Sequence, residues 1–284
     1  MAGISAQKIK LLGAGFLLLL FTAHDSFASK SEISPSANIK VLKNLEYARP
    51  EGKPQSLDLH LPEEKPAKKL PVIIIIHGGG WYKGDKEDFS ELAGVFVSGG
   101  YAVASVNYRF FTEKVFPACL QDCIAAVKWL KENSGKYGLN DAKIGLFGDS
   151  SGGHLALMTA FAGEGAGFGN CGRVQAVAVW YPVTDILMYY AKNPKLNKGL
   201  MGKTPEENPE EYKRASPVNY ASKENPPVFL LHGEQDKVVP IKHSEKLAEL
   251  LKDAGAGVLF LRVKNAGHGF GPGSNSNIEP EYSA

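Results

Sequence analysis

Apolar runs typical of strands alternate with helical patterns along most of the chain. Residues 39–48 and 55–61 alternate apolar and polar positions, which predicts two half-exposed, antiparallel strands. Residues 72–76 form an uninterrupted Val/Ile run, as expected of a strand buried on both faces in the centre of a parallel sheet. The chain therefore begins with an antiparallel edge and continues into a buried sheet.

The rest of the pattern extends this sheet. Further strands are predicted at residues 101–106, 143–147, 174–180, 228–231 and 258–263. Helices are predicted at residues 89–97, along the apolar stripe from 120 to 130, directly after Ser150, and at 241–254. Strands and helices in alternation predict an α/β fold: a mostly parallel, doubly wound sheet flanked by helices.

The alternation breaks between residues 184 and 221, where the chain is rich in Pro, Asn and Lys. A long interruption inside a compact domain is usually a lid or a binding loop. Tyr189 and its apolar neighbours could shape a substrate pocket, and local packing is an equal alternative. We therefore expect a short, lid-like insertion at about 184–221.

The first residues have the pattern of an export signal. Lys8 and Lys10 precede an apolar run at residues 11–23, and Ser26, Phe27 and Ala28 form a small-x-small cleavage site. An uncleaved anchor is the alternative, but the run is shorter than the ~20 residues that span a bilayer. We expect a signal peptide at 1–28, a single domain at 29–284, a secreted or periplasmic protein and no stable membrane insertion after cleavage.

Composition narrows the class of protein further. With 284 residues, 44% of them hydrophobic, the chain can bury one large core. A formal charge of +2 without a Lys/Arg cluster argues against a nucleic-acid partner. The three cysteines, Cys119, Cys123 and Cys171, are expected to be buried, inert thiols; a disulfide from Cys171 to one of the other two stays open.

The segment 144–156 contains the chemically most informative motif. An apolar strand runs into Gly148-Asp149-Ser150-Ser151-Gly152, and a helical pattern follows at once. This G-x-S-x-G turn would hold a serine in a strained backbone at the N-terminus of a helix, where negative charge is favoured. The motif also resembles the serine segment of trypsin-like proteases, but the alternation of helices and strands excludes that fold. Ser150 is the candidate nucleophile.

A glycine-rich loop, His77-Gly78-Gly79-Gly80-Trp81, follows the buried strand at 72–76. A flexible loop is the simpler interpretation. In this position, however, the glycines resemble the HGGG oxyanion loop of lipases and esterases. That resemblance implies that the backbone N–H groups of Gly79 and Gly80, with that of Ser151, would bind a developing oxyanion.

A nucleophilic serine needs a base and a group that orients the base. Of the seven histidines, His268 lies in a glycine-flanked loop after the last strand, where loops at the carboxyl ends of a doubly wound sheet converge. Asp236 would give the chain order Ser, Asp, His, while Asp185 and Glu234 remain alternative carboxylates.

Together these motifs resemble the α/β-hydrolase esterases, and most closely the exported bacterial carbohydrate and feruloyl esterase branch (BD-FAE-like) related to hormone-sensitive lipase. The resemblance spans about residues 57–270. It implies an α/β-hydrolase fold and a serine carboxylic ester hydrolase with the triad Ser150, Asp236 and His268. It implies no metal or organic cofactor, and we expect Trp81 and Tyr189 to line the substrate site.

The resemblance leaves the substrate open between acetyl or feruloyl esters on polysaccharide and short acyl esters. A noncatalytic carbohydrate-binding protein on the same scaffold and a peptidase or amidase of the same fold are alternatives. The chain departs from the family at residues 271–284, which are rich in Gly, Ser and Asn where a final helix usually follows. The oligomeric state is not predicted.

Overall fold

Apolar, β-branched runs form one eight-stranded sheet in the computed structural model, which describes residues 38–162 and 166–270. The expected signal peptide at 1–28 and the tail at 271–284 lie outside the described residues. The strands are β1 (Ile39–Ala48), β2 (Gln55–Pro62), β3 (Leu70–Ile76), β4 (Ala102–Val106), β5 (Leu139–Asp149), β6 (Ala176–Trp180), β7 (Val228–Gly233) and β8 (Val258–Val263).

The strand order is β1-β2-β4-β3-β5-β6-β7-β8. β1 pairs antiparallel with β2, and β2 pairs antiparallel with β4. Every other pairing is parallel. The predicted antiparallel edge and parallel centre are both confirmed, so the carboxyl ends of β3 and β5 to β8 lie along one edge of the sheet.

Both faces of the sheet are covered by helices. The helices are α1 (Ser90–Ser98), α2 (Ala118–Glu132), α3 (Ser134–Tyr137), α4 (Ser150–Phe161), α5 (Ile186–Lys192), α6 (Pro194–Met201), α7 (Pro209–Arg214) and α8 (Lys242–Asp253). Alternate residues of β3 enter two separate cores, one shared with α1 and the other with α2, α4 and α8. The doubly wound sheet predicted from the pattern is therefore confirmed.

The segment at 184–221 is helical and packs onto the larger core. It contains α5, α6, α7 and a 3₁₀ turn at Pro217–Tyr220. Pro194, Pro209 and Pro217 each stand in the first turn of one of these elements, where the missing N–H of proline costs nothing. The prolines that suggested an irregular loop in the sequence thus begin helices.

The cysteines and the lengths of the helices can be read from the described part of the chain. Cys119, Cys123 and Cys171 are free and buried, which confirms the expected inert thiols. Burial raises the pKa of all three, that of Cys119 to about 12. None of the helices within residues 38–162 and 166–270 is both long and apolar enough to span a bilayer.

Candidate active site

The turn between β5 and α4 holds Ser150 in a strained backbone conformation. Ser150 has φ of +49°, an uncommon value for a residue with a side chain. A Cβ added at Gly152 would lie 2.1 Å from the Ile76 carbonyl oxygen, so the helix approaches β3 too closely for any side chain. The two flanking glycines are thus required by packing, and the serine hydroxyl stands at the carboxyl edge of the sheet.

The glycine loop after β3 lies beside this turn. Ile76 at the end of β3 is paired with Gly148 of β5, so the two segments leave the sheet side by side. Gly79 has φ of +105°, and a Cβ there would lie 2.0 Å from the Lys83 carbonyl oxygen. Among the described residues, the N–H groups of Gly79 and Gly80 donate to no hydrogen bond, which leaves them available to a ligand.

Tyr108 contacts the start of this loop, and the next residue, Arg109, is bound to α2. The Tyr108 hydroxyl donates to the His77 carbonyl oxygen at 2.9 Å, and its ring stacks on the His77 ring at 4.5 Å. Arg109 makes two hydrogen bonds to the carboxylate of Asp122, at 2.9 and 2.8 Å, in a buried ion pair. Asp122 also accepts from the Arg109 N–H, which assigns this aspartate a structural role.

His268 comes within hydrogen-bond distance of Ser150, although 118 positions separate them in the chain. Its Nε2 lies 3.2 Å from Ser150 Oγ and its Nδ1 lies 2.7 Å from Asp236 Oδ2. A carboxylate only accepts, so Nδ1 carries the hydrogen and Nε2 is free to accept from the serine hydroxyl. This is the tautomer that a general base needs.

Asp236 is buried and held by several donors. Its Oδ1 accepts from the N–H groups of Val238 and Val239, at 2.8 and 2.9 Å. Burial would raise the pKa of Asp236, but hydrogen bonds from His232 and His268 outweigh burial and lower it below its ordinary value. The carboxylate is therefore ionised and fixed in orientation.

Asp185, one of the two alternative carboxylates, forms its contacts elsewhere. It caps α5 by accepting from the Met188 N–H at 2.9 Å, and it pairs with Lys246 at 2.7 Å. Of the two aspartates, the structure thus brings only Asp236 to His268.

Ser151 and Asp149 flank the serine. Ser151 is in the first turn of α4, so its N–H has no partner within the helix and points out of the helix N-terminus. Burial raises the pKa of Asp149 to about 6, although a hydrogen bond from the Gly78 N–H opposes the shift. Asp149 therefore links the serine turn to the glycine loop.

Trp81 and Tyr189, the two expected substrate contacts, are both buried in the structure. Trp81 has no exposed surface, and its indole N–H donates to His154 Nδ1 at 3.1 Å. Tyr189 is only 4% exposed and packs edge-on against Trp81. Both rings lie in the core, and a contact of either with substrate stays a prediction.

Tyr82, the next residue, is the aromatic side chain that reaches the surface. It is 43% exposed, lies against Gly80 and is 5.9 Å from the Phe111 ring. The sequence did not single out Tyr82, nor the contact between His232 and Asp236. The position of His232 at the end of a strand, before the loop that contains Asp236, was a usable signal for that contact.

His154, a further histidine near the site, is bonded to two other parts of the fold. His154 accepts from Trp81 and donates from Nε2 to the Ala215 carbonyl oxygen at 2.8 Å. Burial lowers the pKa of His154 to about 4, so its ring is neutral at pH 7. In residues 38–162 and 166–270 no group of three or more His, Cys, Asp or Glu side chains could hold a metal ion.

The chain is similar in sequence to a known family and to several named esterases. The profile of the BD-FAE family matches residues 57–251. Esterase LipQ of Mycobacterium tuberculosis is 34% identical over 233 residues, covering 78% of this chain and 55% of that protein. Esterase LipC of the same organism is 26% identical, covering 76% of this chain and 57% of that protein. The chain thus spans a little over half the length of these two relatives.

Solved structures with the same fold include a carbohydrate esterase and a thermophilic esterase. A truncated carbohydrate esterase from gut microbiota has a TM-score of 0.72 and 29% identity, covering 87% of this chain and 95% of that one. Butyrate-bound esterase 2 of Thermogutta terrifontis has a TM-score of 0.68 and 25% identity, covering 85% of this chain and 88% of that one.

Proposed function

The chain belongs to the BD-FAE family and has the α/β-hydrolase fold, and on this basis we propose that it is a carboxylic ester hydrolase with Ser150 as nucleophile. The observation that carries the proposal is the hydrogen-bond chain from Ser150 through His268 to Asp236, with distances of 3.2 and 2.7 Å. The esterases among its relatives and structural neighbours support the same reaction class.

In the proposed reaction, Ser150 Oγ attacks the ester carbonyl carbon while His268 Nε2 takes the hydroxyl proton. Asp236 keeps the imidazole in the required tautomer and stabilises the imidazolium. His268 then returns the proton to the leaving alcohol, which leaves an acyl-serine. Water then attacks this ester with His268 again as base; the acyl–Oγ bond breaks, His268 returns the proton to Ser150 Oγ, and the free acid is released.

Each tetrahedral intermediate carries an oxyanion, and the hydrogen-bond donors that stabilise it must be in place before the reaction begins. We assign this role to the N–H groups of Gly79, Gly80 and Ser151. The positive φ of Gly79, the free N–H groups of the loop and the position of Ser151 at a helix N-terminus support the assignment. Loss of one such donor typically lowers kcat by about 10²- to 10³-fold.

For the substrate, we propose acetyl or feruloyl esters on polysaccharide, or short acyl esters. The carbohydrate esterase and the butyrate-bound esterase among the structural neighbours support these choices. A peptidase is the second candidate, since YtmA of Bacillus subtilis, an uncharacterized peptidase, is 31% identical over 163 residues.

We also propose that the protein is exported. The apolar run preceded by Lys8 and Lys10 supports this proposal.

The test of the nucleophile is Ser150→Ala compared with Ser90→Ala, an exposed serine on α1. With p-nitrophenyl acetate, we expect kcat to fall by about 10⁶-fold for S150A and to stay unchanged for S90A. A fluorophosphonate should label the wild type at Ser150, read by mass spectrometry. Retention of most ester hydrolysis by S150A, or no labelling of the folded wild type, would overturn the proposal.

The substrate class is tested by measuring kcat/KM side by side for p-nitrophenyl acetate and butyrate, methyl ferulate, acetylated xylan and a peptide anilide. We expect turnover of the esters and none of the anilide. Cleavage of the anilide without ester hydrolysis would favour the peptidase. For export, N-terminal sequencing of protein recovered from the periplasm or medium should begin at Ser29.

A further inference from the structure

His232 contacts the same carboxylate oxygen of Asp236 that bonds His268. His232 is in β7 and has no exposed surface. Its Nε2 lies 2.8 Å from the Val239 carbonyl oxygen and 3.4 Å from Asp236 Oδ2. Its Nδ1 lies 2.8 Å from the hydroxyl of Ser244 on α8. Both ring nitrogens are thus engaged, and one of them faces the candidate triad.

The partners of His232 fix which nitrogen carries hydrogen. The Val239 carbonyl only accepts, so Nε2 must bear an N–H. That N–H is directed mainly to Val239 and also reaches Asp236 Oδ2, as a shared, longer contact. The hydroxyl of Ser244 can donate to Nδ1. Because the Val239 N–H donates in turn to Asp236 Oδ1, His232 and Asp236 together close the loop that follows β7.

We propose that His232 is a positioning residue that acts through Asp236. Its Nε2–H holds the carboxylate in the orientation that bonds His268 Nδ1, and it withdraws part of the negative charge from Oδ2. This inference rests on the proposed function of Ser150, His268 and Asp236. A carboxylate with fewer donors rotates more freely and binds an imidazolium more strongly, so loss of the His232 donor affects both the rate and its pH dependence.

Other titratable groups surround this chain of residues and stay in place when His232 is changed. On the serine side, Asp149 acts electrostatically on His268, and the Tyr181 ring lies 4.5 Å from the His268 ring. On the α8 side, His243 is near both His232 and Asp236 and is influenced by Asp185 and Lys246. Because these groups are the same in any two variants of His232, their electrostatic effects on His268 and Asp236 cancel when the two variants are compared.

The test compares His232→Asn with His232→Gln. Asparagine can occupy the position of Nδ1 beside Ser244 but has no N–H at the position of Nε2, whereas glutamine can place an amide N–H there. With p-nitrophenyl acetate, H232N should lower kcat about tenfold or more with KM nearly unchanged, the loss expected from one hydrogen bond to a charged group. H232Q should recover most of kcat.

The pH–rate profile separates positioning from a purely structural role. For H232N, the pH of half-maximal activity on the acid side should move upward, because Asp236 holds the imidazolium more strongly. For H232Q, the pH of half-maximal activity should stay at the wild-type value. The same is expected of Ser244→Ala, which removes only the hydrogen-bond partner of His232 Nδ1. Urea unfolding of each variant checks that the folded enzyme is compared.

Equal kcat and equal pH profiles for H232N and H232Q would overturn the inference, whether both match the wild type or both are equally impaired. An inactive wild type, or an active S150A, would instead overturn the proposed function, so the two failures are distinguishable.

Discussion

At the scale of single residues, two aspartates that both follow sheet strands have entirely different partners. Asp236 follows β7 and bonds His268 at 2.7 Å. Asp185 follows β6, caps α5 and pairs with Lys246. The environment of each carboxylate, and not its distance from a strand end, therefore decides which one can orient a catalytic histidine.

The first prediction contrasts these two aspartates. Asp236→Asn should lower kcat by about 10³- to 10⁴-fold, because an amide stabilises the wrong tautomer of His268 and no charge balances the imidazolium. Asp185→Asn should change kcat less than tenfold and lower stability modestly through the lost Lys246 pair. Hydrolysis of p-nitrophenyl acetate measures both; a larger loss of kcat at Asp185 than at Asp236 would contradict the assignment.

Trp81 and Tyr82 are adjacent aromatic residues, but one side chain is buried and the other is exposed. With φ of +63° at Trp81, the indole enters the core and Tyr82 is left 43% exposed beside Gly80. The sequence predicts Trp81 as a substrate contact, whereas the structure buries its side chain and exposes that of Tyr82.

At the scale of elements, the strand-turn-helix from β5 to α4 depends on glycine at the crossing with β3. The N-terminus of α4 lies against the last residue of β3, and a Cβ at Gly152 would be 2.1 Å from the Ile76 carbonyl and 2.5 Å from that of His77. Such an approach holds Ser150 in its strained conformation and keeps the glycine loop close to the serine.

We therefore predict that Gly152→Ala separates or distorts these two segments. The free energy of unfolding should fall by about 2 kcal/mol or more, because overpacking forces the backbone to move, and kcat should fall at least tenfold. Urea unfolding and p-nitrophenyl acetate hydrolysis measure the two effects.

Gly135→Ala is the matched control. Gly135 lies in α3, and an added Cβ there meets nothing within 4 Å. This variant should be as stable as the wild type or slightly more stable, since alanine favours helix. A G152A protein with the stability and kcat of G135A would show that the close approach is not required.

At the scale of the whole molecule, buried histidines join separate parts of the fold. His154 of α4 links Trp81 of the glycine loop to Ala215, next to the 3₁₀ turn in the helical segment at 184–221. His243 of α8 bonds the Thr184 N–H at the start of that segment. Burial lowers the pKa of both histidines to about 4.

These histidines make stability fall in acid. An unfolded histidine has a pKa of about 6.5, so between pH 6.5 and about 4 the unfolded chain binds more protons than the native one. The contribution of these two histidines to stability is then complete above pH 6.5 and is lost progressively towards pH 4. The hydrogen bonds of His154 and His243 thus make the attachment of the helical segment sensitive to acid.

His154→Gln tests this dependence. At pH 7.5 the variant should be less stable than the wild type, because the bonds to Trp81 and Ala215 are disturbed. At pH 4.5 the difference should be smaller, since only the wild type has to keep His154 neutral. Urea midpoints at pH 7.5, 6.0 and 4.5 measure the gap; a constant gap would show that His154 does not titrate in this range.

Much of the fold and part of the site were predictable because their causes are local. The Val/Ile run of β3, the alternation in β1 and β2, and the glycines around Ser150 each reflect burial or backbone sterics within a few residues. The helices at 184–221 were missed because prolines are typical of loops, whereas here each stands in the first turn of an element. The burial of Leu200 and Tyr212, which reveals the helices, is known only from the structure.

The sequence by itself determined the sheet, the strained serine turn and the glycine loop, since periodicity and the absence of Cβ atoms act on neighbouring residues. Only the tertiary structure decided that Asp236 and not Asp185 meets His268, that Trp81 turns inward, and that His232 reaches Asp236. The physical reason is that these contacts depend on strand order and on which space the core leaves open, and neither is encoded in any short stretch of chain.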